Sequence, residues 1–193
     1  MRPLSILFAA VTCLSVLTAT SNSQTIARFL SENGGAFDND TSDYDILRRA
    51  VATADLVSAL QNRDAELTLF APNDLAFTRL ARDLGYTGPR DEQAVWNFLV
   101  QALTGLGDGD PIGPLTNVLL YHVTPRNIDI AEFIQSDQII TLLDGESFRV
   151  AGFVRMIDND PDSNNARLFS PLNVKYSNGT VHGISRVLRP LDL

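Results

Sequence analysis

Two dipeptides, Asp144-Gly145 and Asn178-Gly179, constrain this chain more than any other feature. Each sits between runs rich in strand-forming residues: QIITLL and ESFRVAGFV around the first, VKYS and TVHGISRVL around the second. Asp-Gly and Asn-Gly readily take the positive φ angles of a tight turn, so each pair predicts a β-hairpin. Upstream the period changes. Ile46, Leu47, Ala50, Val51, Ala54 and Val57 recur at three- and four-residue steps, which predicts one helix through residues 44–60 with Asp43 as its cap. Asn73 caps the next helix, DLAFTRLARDLG, whose Phe77, Leu80, Ala81 and Leu84 share a face and whose stop is Gly85. A third helix is expected over 92–103 and a short one over 115–120, and IAEFIQS adds a turn or two after Asp129. ELTLFA (66–71) alternates like a half-buried strand that Pro72 ends, and another strand is expected at Tyr121–Val123. GLGDGDPIGP and IDNDPDSNNA read as polar loops. Helices gathered ahead of strands make the fold class α+β rather than alternating βα units.

The core has to hold this fold without disulfides. Cys13 is the only cysteine, and it falls in MRPLSILFAAVTCLSVLTATSNSQ. That stretch carries one early positive charge, Arg2, then an apolar run and small hydroxyl residues. This is the anatomy of a secretory signal peptide over residues 1–23, cleaved between about 19 and 24. Thr12 before Cys13 does not suit lipoprotein processing. About 170 residues then remain for a single domain, and a chain of that length can bury a sufficient core by itself. The hydrophobic fraction of 45% agrees with a globular chain. A net charge of −8, with Lys175 the sole lysine, argues against nucleic acid or anionic lipid as partners, since phosphate contacts need a basic footprint. The expected location is secreted or extracellular, periplasmic in a bacterium, without membrane insertion.

Chemistry-bearing residues are sparse. His122 follows Tyr121 after an apolar run, and on a strand the two side chains would point to opposite faces. Either His122 is buried and hydrogen-bonded, or the pair meets a partner. His182 lies between Val181 and Gly183, and two histidines are too few for a zinc site, so no metal and no cofactor is expected. Asp158, Asp160 and Asp162 alternate as in the opening of a calcium loop. Ser163 and Phe169 stand where that loop needs glycine and a bidentate glutamate, which favours a solvated loop. Asp108 and Asp110 in GDGD are weaker still. Asn39-Asp40-Thr41 and Asn178-Gly179-Thr180 have the form of N-glycosylation acceptors, of use only in a host that glycosylates. There is no nucleophile elbow, no phosphate-cradling glycine loop and no metalloprotease helix, so no catalytic residue is expected.

Three blocks nevertheless stand in a recognisable order: TLFAPNDLAF (68–77), LLYHV (119–123) and NGTVHGISRVLRP (178–190). Together they resemble the fasciclin domain, with the likeness running from about residue 25 to 193. The resemblance implies helices packed on a small β-sandwich or wedge of mostly C-terminal strands. An inserted helix and loop around 86–114 would enlarge it. It implies structural roles for Phe70, Pro72, Asn73, Phe77, His182 and Pro190, and a partner contact through Leu119, Leu120, Tyr121, His122 and Val123. Ser185 departs from the pattern, standing where the family usually has aspartate or asparagine. The function implied is a non-catalytic, secreted adhesion module, often glycosylated, that binds a cell-surface or matrix protein or polysaccharide. The alternative is a soluble secreted protein that binds carbohydrate or a small ligand, with a hydrolase more remote.

Overall fold

A computed structural model describes residues 24–191, so the expected leader over 1–23, with Cys13, lies outside the described residues. The first half is helical: α1 (Ile26–Asn33), α2 (Asp45–Thr53), α3 (Val57–Gln61), α4 (Asp74–Asp83), α5 (Glu92–Leu106) and α6 (Ile112–Tyr121). Strand β1 (Leu67–Pro72) interrupts it between α3 and α4, and the two-residue β2 (Val123–Thr124) follows α6. After α7 (Ile130–Gln135) come β3 (Gln138–Ile140), β4 (Ser147–Ala151), β5 (Arg155–Ile157), β6 (Ala166–Tyr176) and β7 (Gly179–Ile184). The α+β segregation therefore holds, and five of the seven described strands are C-terminal.

The strands form one sheet in the order β2-β1-β7-β6-β5-β4-β3. Only β1 and β7 run parallel, with Phe70 opposite His182 and Leu67 opposite Gly179. The two ends of the sheet approach each other, since the Leu142 amide donates to the Val123 carbonyl at 2.7 Å. The sheet is thus a nearly closed wedge. Strand β1 is buried along its whole length, not half-buried, because it packs on both faces. Its Leu67, Leu69 and Ala71 join α1–α6 in one apolar cluster, while Phe70 belongs to a second, with Tyr121, Phe133, Phe148 and Met156 inside the wedge. The period-two alternation of a strand lets one segment serve two cores.

Local chemistry explains the elements. Asn73 Oδ1 accepts from the Ala76 amide at 3.1 Å and caps α4. The helix stops in a Schellman motif, with Tyr86 N donating to Ala81 O (2.8 Å), Gly85 N to Arg82 O (3.0 Å), and Gly85 at φ +95°. Asp91 and Asp129 cap α5 and α7 in the way Asn73 caps α4.

Several expectations are corrected. The single helix over 44–60 is two, broken by a second Schellman stop in which Leu56 N donates to Val51 O (3.0 Å) and Asp55 N to Ala52 O (3.3 Å). Asp55 takes the left-handed position at φ +56°, so no glycine marks the break. Tyr44 rather than Asp43 is the residue that precedes α2. Helix α6 starts inside the expected GLGDGDPIGP loop, with Pro114 in its first turn, where a missing amide hydrogen costs nothing. It runs on through Tyr121, so Tyr121 and His122 are helix end and not strand. Pro72 is the last residue of β1 instead of a breaker beyond it. Residues 152–154 turn between β4 and β5, with Gly152 at φ +61°, where one continuous strand was expected. In the last hairpin Tyr176 pairs with Gly179, so Ser177 and Asn178 form the turn and Gly179 already belongs to β7.

Candidate functional site

Helix α6 ends at the second of the three sequence blocks. Its Leu119, Tyr121 and Val123 are buried, His122 is 1% exposed, and Leu120 is half-buried. At the helix C-cap, His122 Nδ1 contacts the Val118 carbonyl at 2.7 Å, and His122 Nε2 accepts from the Leu188 amide at 2.9 Å. These partners assign a neutral ring protonated on Nδ1. Burial holds its pKa down at about 4. The His122 carbonyl also accepts from Phe70 N at 2.9 Å, so this residue ties α6 to β1 and to the C-terminal segment. Tyr121 donates its hydroxyl to the Ser147 carbonyl at 2.9 Å, and burial raises its pKa. The expectation of opposite faces is corrected: both side chains point into packed protein.

His182, on β7, is buried as well. Its Nε2 contacts the Ile128 carbonyl at 3.0 Å, its Nδ1 accepts from Asn173 N at 3.4 Å, and its ring stacks on Phe70 at 5.9 Å between centroids. Burial lowers its pKa. With both nitrogens of each ring engaged, neither histidine has a lone pair to offer a metal.

The loop 158–165 is not uniformly solvated. Asp160 is buried and accepts from Arg189 Nη1 at 2.7 Å and from the amides of Asp162 (3.0 Å) and Ser163 (3.1 Å). Asp158 accepts from Arg189 N at 2.9 Å, and burial raises its pKa. Arg189 Nη2 reaches Asp83 on α4 at 2.7 Å. Asp158 and Asp160 thus hold the C-terminal segment through Arg189, while Asp162 is exposed.

A carboxylate cluster that periodicity did not reveal lies where the N-termini of α2, α4 and α5 converge. Asp74 accepts from the amides of Asp45 and Ile46, both at 2.9 Å, and so caps α2. Glu92 Oε2 accepts from Asp38 N at 2.8 Å, and Asp45 Oδ1 accepts from Gly35 N. Oxygens of Asp38, Asp45 and Glu92 lie within 4.8 Å of one another, as do those of Asp43, Asp74 and Glu92. Such oxygen sets could hold a hard cation. They are also served by protons, since burial pushes Glu92 up to about 7 and raises Asp74 and Asp43, which share a hydrogen bond. The signal in the sequence was three helix starts each carrying an acid, Asp45, Asp74 and Glu92, but their convergence was not readable.

The family model described as the fasciclin domain matches residues 42–190. The chain belongs to the fasciclin family. A solved structure of a FAS1 domain pair from the insect cell adhesion molecule fasciclin I superposes with a TM-score of 0.60 at 15% identity. That match covers 87% of this chain and 51% of the other, so this chain spans about half of the domain pair. At that identity the likeness is one of fold. No curated protein matches the sequence.

In this fasciclin domain the motif residues Phe70, Pro72, Asn73, Phe77, His182 and Pro190 are all buried. Asn178, the second acceptor motif, is 1% exposed. Its Oδ1 accepts from Ile26 N at 2.8 Å, and its Nδ2 donates to the carbonyls of Leu60 and Asn62, both at 2.9 Å. The nitrogen a glycan would need is committed to the fold, which corrects the reading of Asn178 as a sugar site. Asn39 lies exposed in the loop before α2. No helix of the described residues is long and apolar enough to cross a membrane.

Proposed function

We propose that this fasciclin domain is a secreted, non-catalytic adhesion module that binds cell-surface or extracellular-matrix molecules. The observation that carries the reading is the state of its motif groups. His122, His182 and Tyr121 are buried with their polar atoms on main-chain partners, so the shared motifs build a scaffold and recognition falls to the surface. Membership of a family of adhesion-related modules supports the same role. A cleaved leader over 1–23, a single domain from residue 25 with 86–114 as an enlargement, and a sugar on Asn39 in a glycosylating host belong to it. Within Leu119–Val123, Leu120 is the accessible side chain and the proposed contact, and the other four hold it in place.

The test is attachment of cells to surfaces coated with the secreted protein. Attachment above an albumin coat is expected, reduced by Leu120→Asp with the melting temperature unchanged. His122→Ala is expected to lower attachment and stability together. Absence of attachment from every cell type tried would remove the adhesive reading. Retained attachment in a stable Leu120→Asp variant would move the contact elsewhere.

A further inference from the structure

A basic cleft sits on this acidic chain. It measures about 400 Å³ and lies between α4, the loop before β6 and the residues after β7, lined by Arg79, Arg155, Arg167 and Arg186 with Asn164, Asn165 and Ser185. No carboxylate lines it. Arg155 and Arg167 are exposed and directly opposite each other across β5 and β6. Like charges facing each other on neighbouring strands repel, and among the described residues neither arginine has an ion-pair partner. Arg79 donates from Nη1 to the Ser185 carbonyl at 2.8 Å, which fixes the side chain in the wall without neutralising it. Arg186 is the exception, paired with Asp83 at 2.8 Å. Ser185 Oγ accepts from Arg167 N at 3.0 Å, which leaves its hydroxyl proton free to donate. Serine stands here where the family usually has aspartate or asparagine, so this position brings no carboxylate to the cleft.

We propose that this cleft binds an acidic saccharide, a short stretch of sugar carrying carboxylate or sulfate groups. Three uncompensated guanidinium groups offer forked, planar donors that match such anions. Asn164, Asn165 and the Ser185 hydroxyl add neutral donors and acceptors of the kind that pair with sugar hydroxyls. The net charge of −8 repels a long polyanion laid across the whole surface, and focuses attraction on this one place. An acidic peptide fits less well. Strands β5 and β6 are interior in the sheet, so no free strand edge is available for peptide main chain. The proposal draws on the binding-module reading only for the class of partner.

The experiment is calorimetric titration of the secreted protein with sulfated dextran oligosaccharide, oligogalacturonate, neutral dextran and poly-glutamate, at low and at physiological salt. Saturable binding to the sulfated or the carboxylated saccharide is expected, and which of them binds identifies the anion. Neutral dextran is expected not to bind. Ser185→Asp and Arg155→Ser should each weaken binding at least about tenfold, the scale of one lost charge-assisted contact. Arg155→Ser should also raise the melting temperature of the free protein by relieving the repulsion. If Ser185→Asp does not fold, Arg155→Ser and Arg167→Ser at exposed positions carry the comparison. No binding to either acidic saccharide, equal binding to poly-glutamate, or binding indifferent to these substitutions would overturn the proposal. Because the titration uses no cells, saccharide binding without cell attachment sinks only the adhesive reading, and attachment without saccharide binding sinks only this one.

Discussion

His122 and Glu92 are both buried, and burial moves them in opposite senses because it disfavours whichever form is charged. The folded pKa of His122 is about 4 against an ordinary 6.5, so between these values the unfolded chain holds a proton that the folded chain does not. Its contribution is complete above pH 6.5 and is lost as pH falls toward 4, a total of about 3 kcal/mol. The stability advantage of wild type over His122→Gln, read from urea denaturation, should therefore shrink across that window. A gap that stays constant would refute the buried neutral ring. For Glu92 the folded value of about 7 lies above its ordinary 4.5, so the folded chain holds the extra proton. Its cost grows as pH rises through that range. Glu92→Gln should accordingly raise the melting temperature at pH 8 and leave it nearly unchanged at pH 4. The shifts were not legible from residue types: the apolar flanks of His122 favoured a core position and left a partner contact open, and only the Val118 and Leu188 partners decide.

At the scale of elements, the sequence was most informative where a cap or turn has its own chemistry. Asn73 and Gly85 bracket α4 as expected, and the last hairpin forms. The errors fall where a stop lacks its usual residue. Asp55 carries the left-handed C′ position of α2 that glycine commonly fills, so the apolar periodicity ran past the break. Asp55→Gly should stabilise the protein by about 0.5–1 kcal/mol, measured by chemical denaturation, because glycine adopts this conformation without steric cost. Gly179 has the reverse constraint. A Cβ there would stand 1.9 Å from the Leu67 carbonyl, so Gly179→Ala has to push β7 away from β1. Loss of the cooperative thermal transition, or its shift to much lower temperature, is the expected outcome.

The whole molecule is closed by residues far apart in the chain. Arg189 joins Asp160 and Asp83, and so ties the C-terminal segment to the loop 158–165 and to α4. Removing one partner strands the buried Asp160 carboxylate. Arg189→Leu is expected to cost about 3–5 kcal/mol in denaturant midpoint analysis, and Arg189→Leu with Asp160→Leu to recover part of it. The sequence by itself determined the α+β class, the positions of most helices and the hairpins, because these depend on periodicity, caps and turn residues within a few positions of one another, and its three blocks at 68–77, 119–123 and 178–190 carried the resemblance to the family. Only the tertiary structure decided the parallel β1–β7 pairing, the burial of both histidines and of Asn178, the carboxylate convergence and the basic cleft. Those features rest on contacts such as Leu188 with His122 and Ile26 with Asn178, 66 and 152 residues apart, and no local pattern encodes which distant partner a polar group will meet.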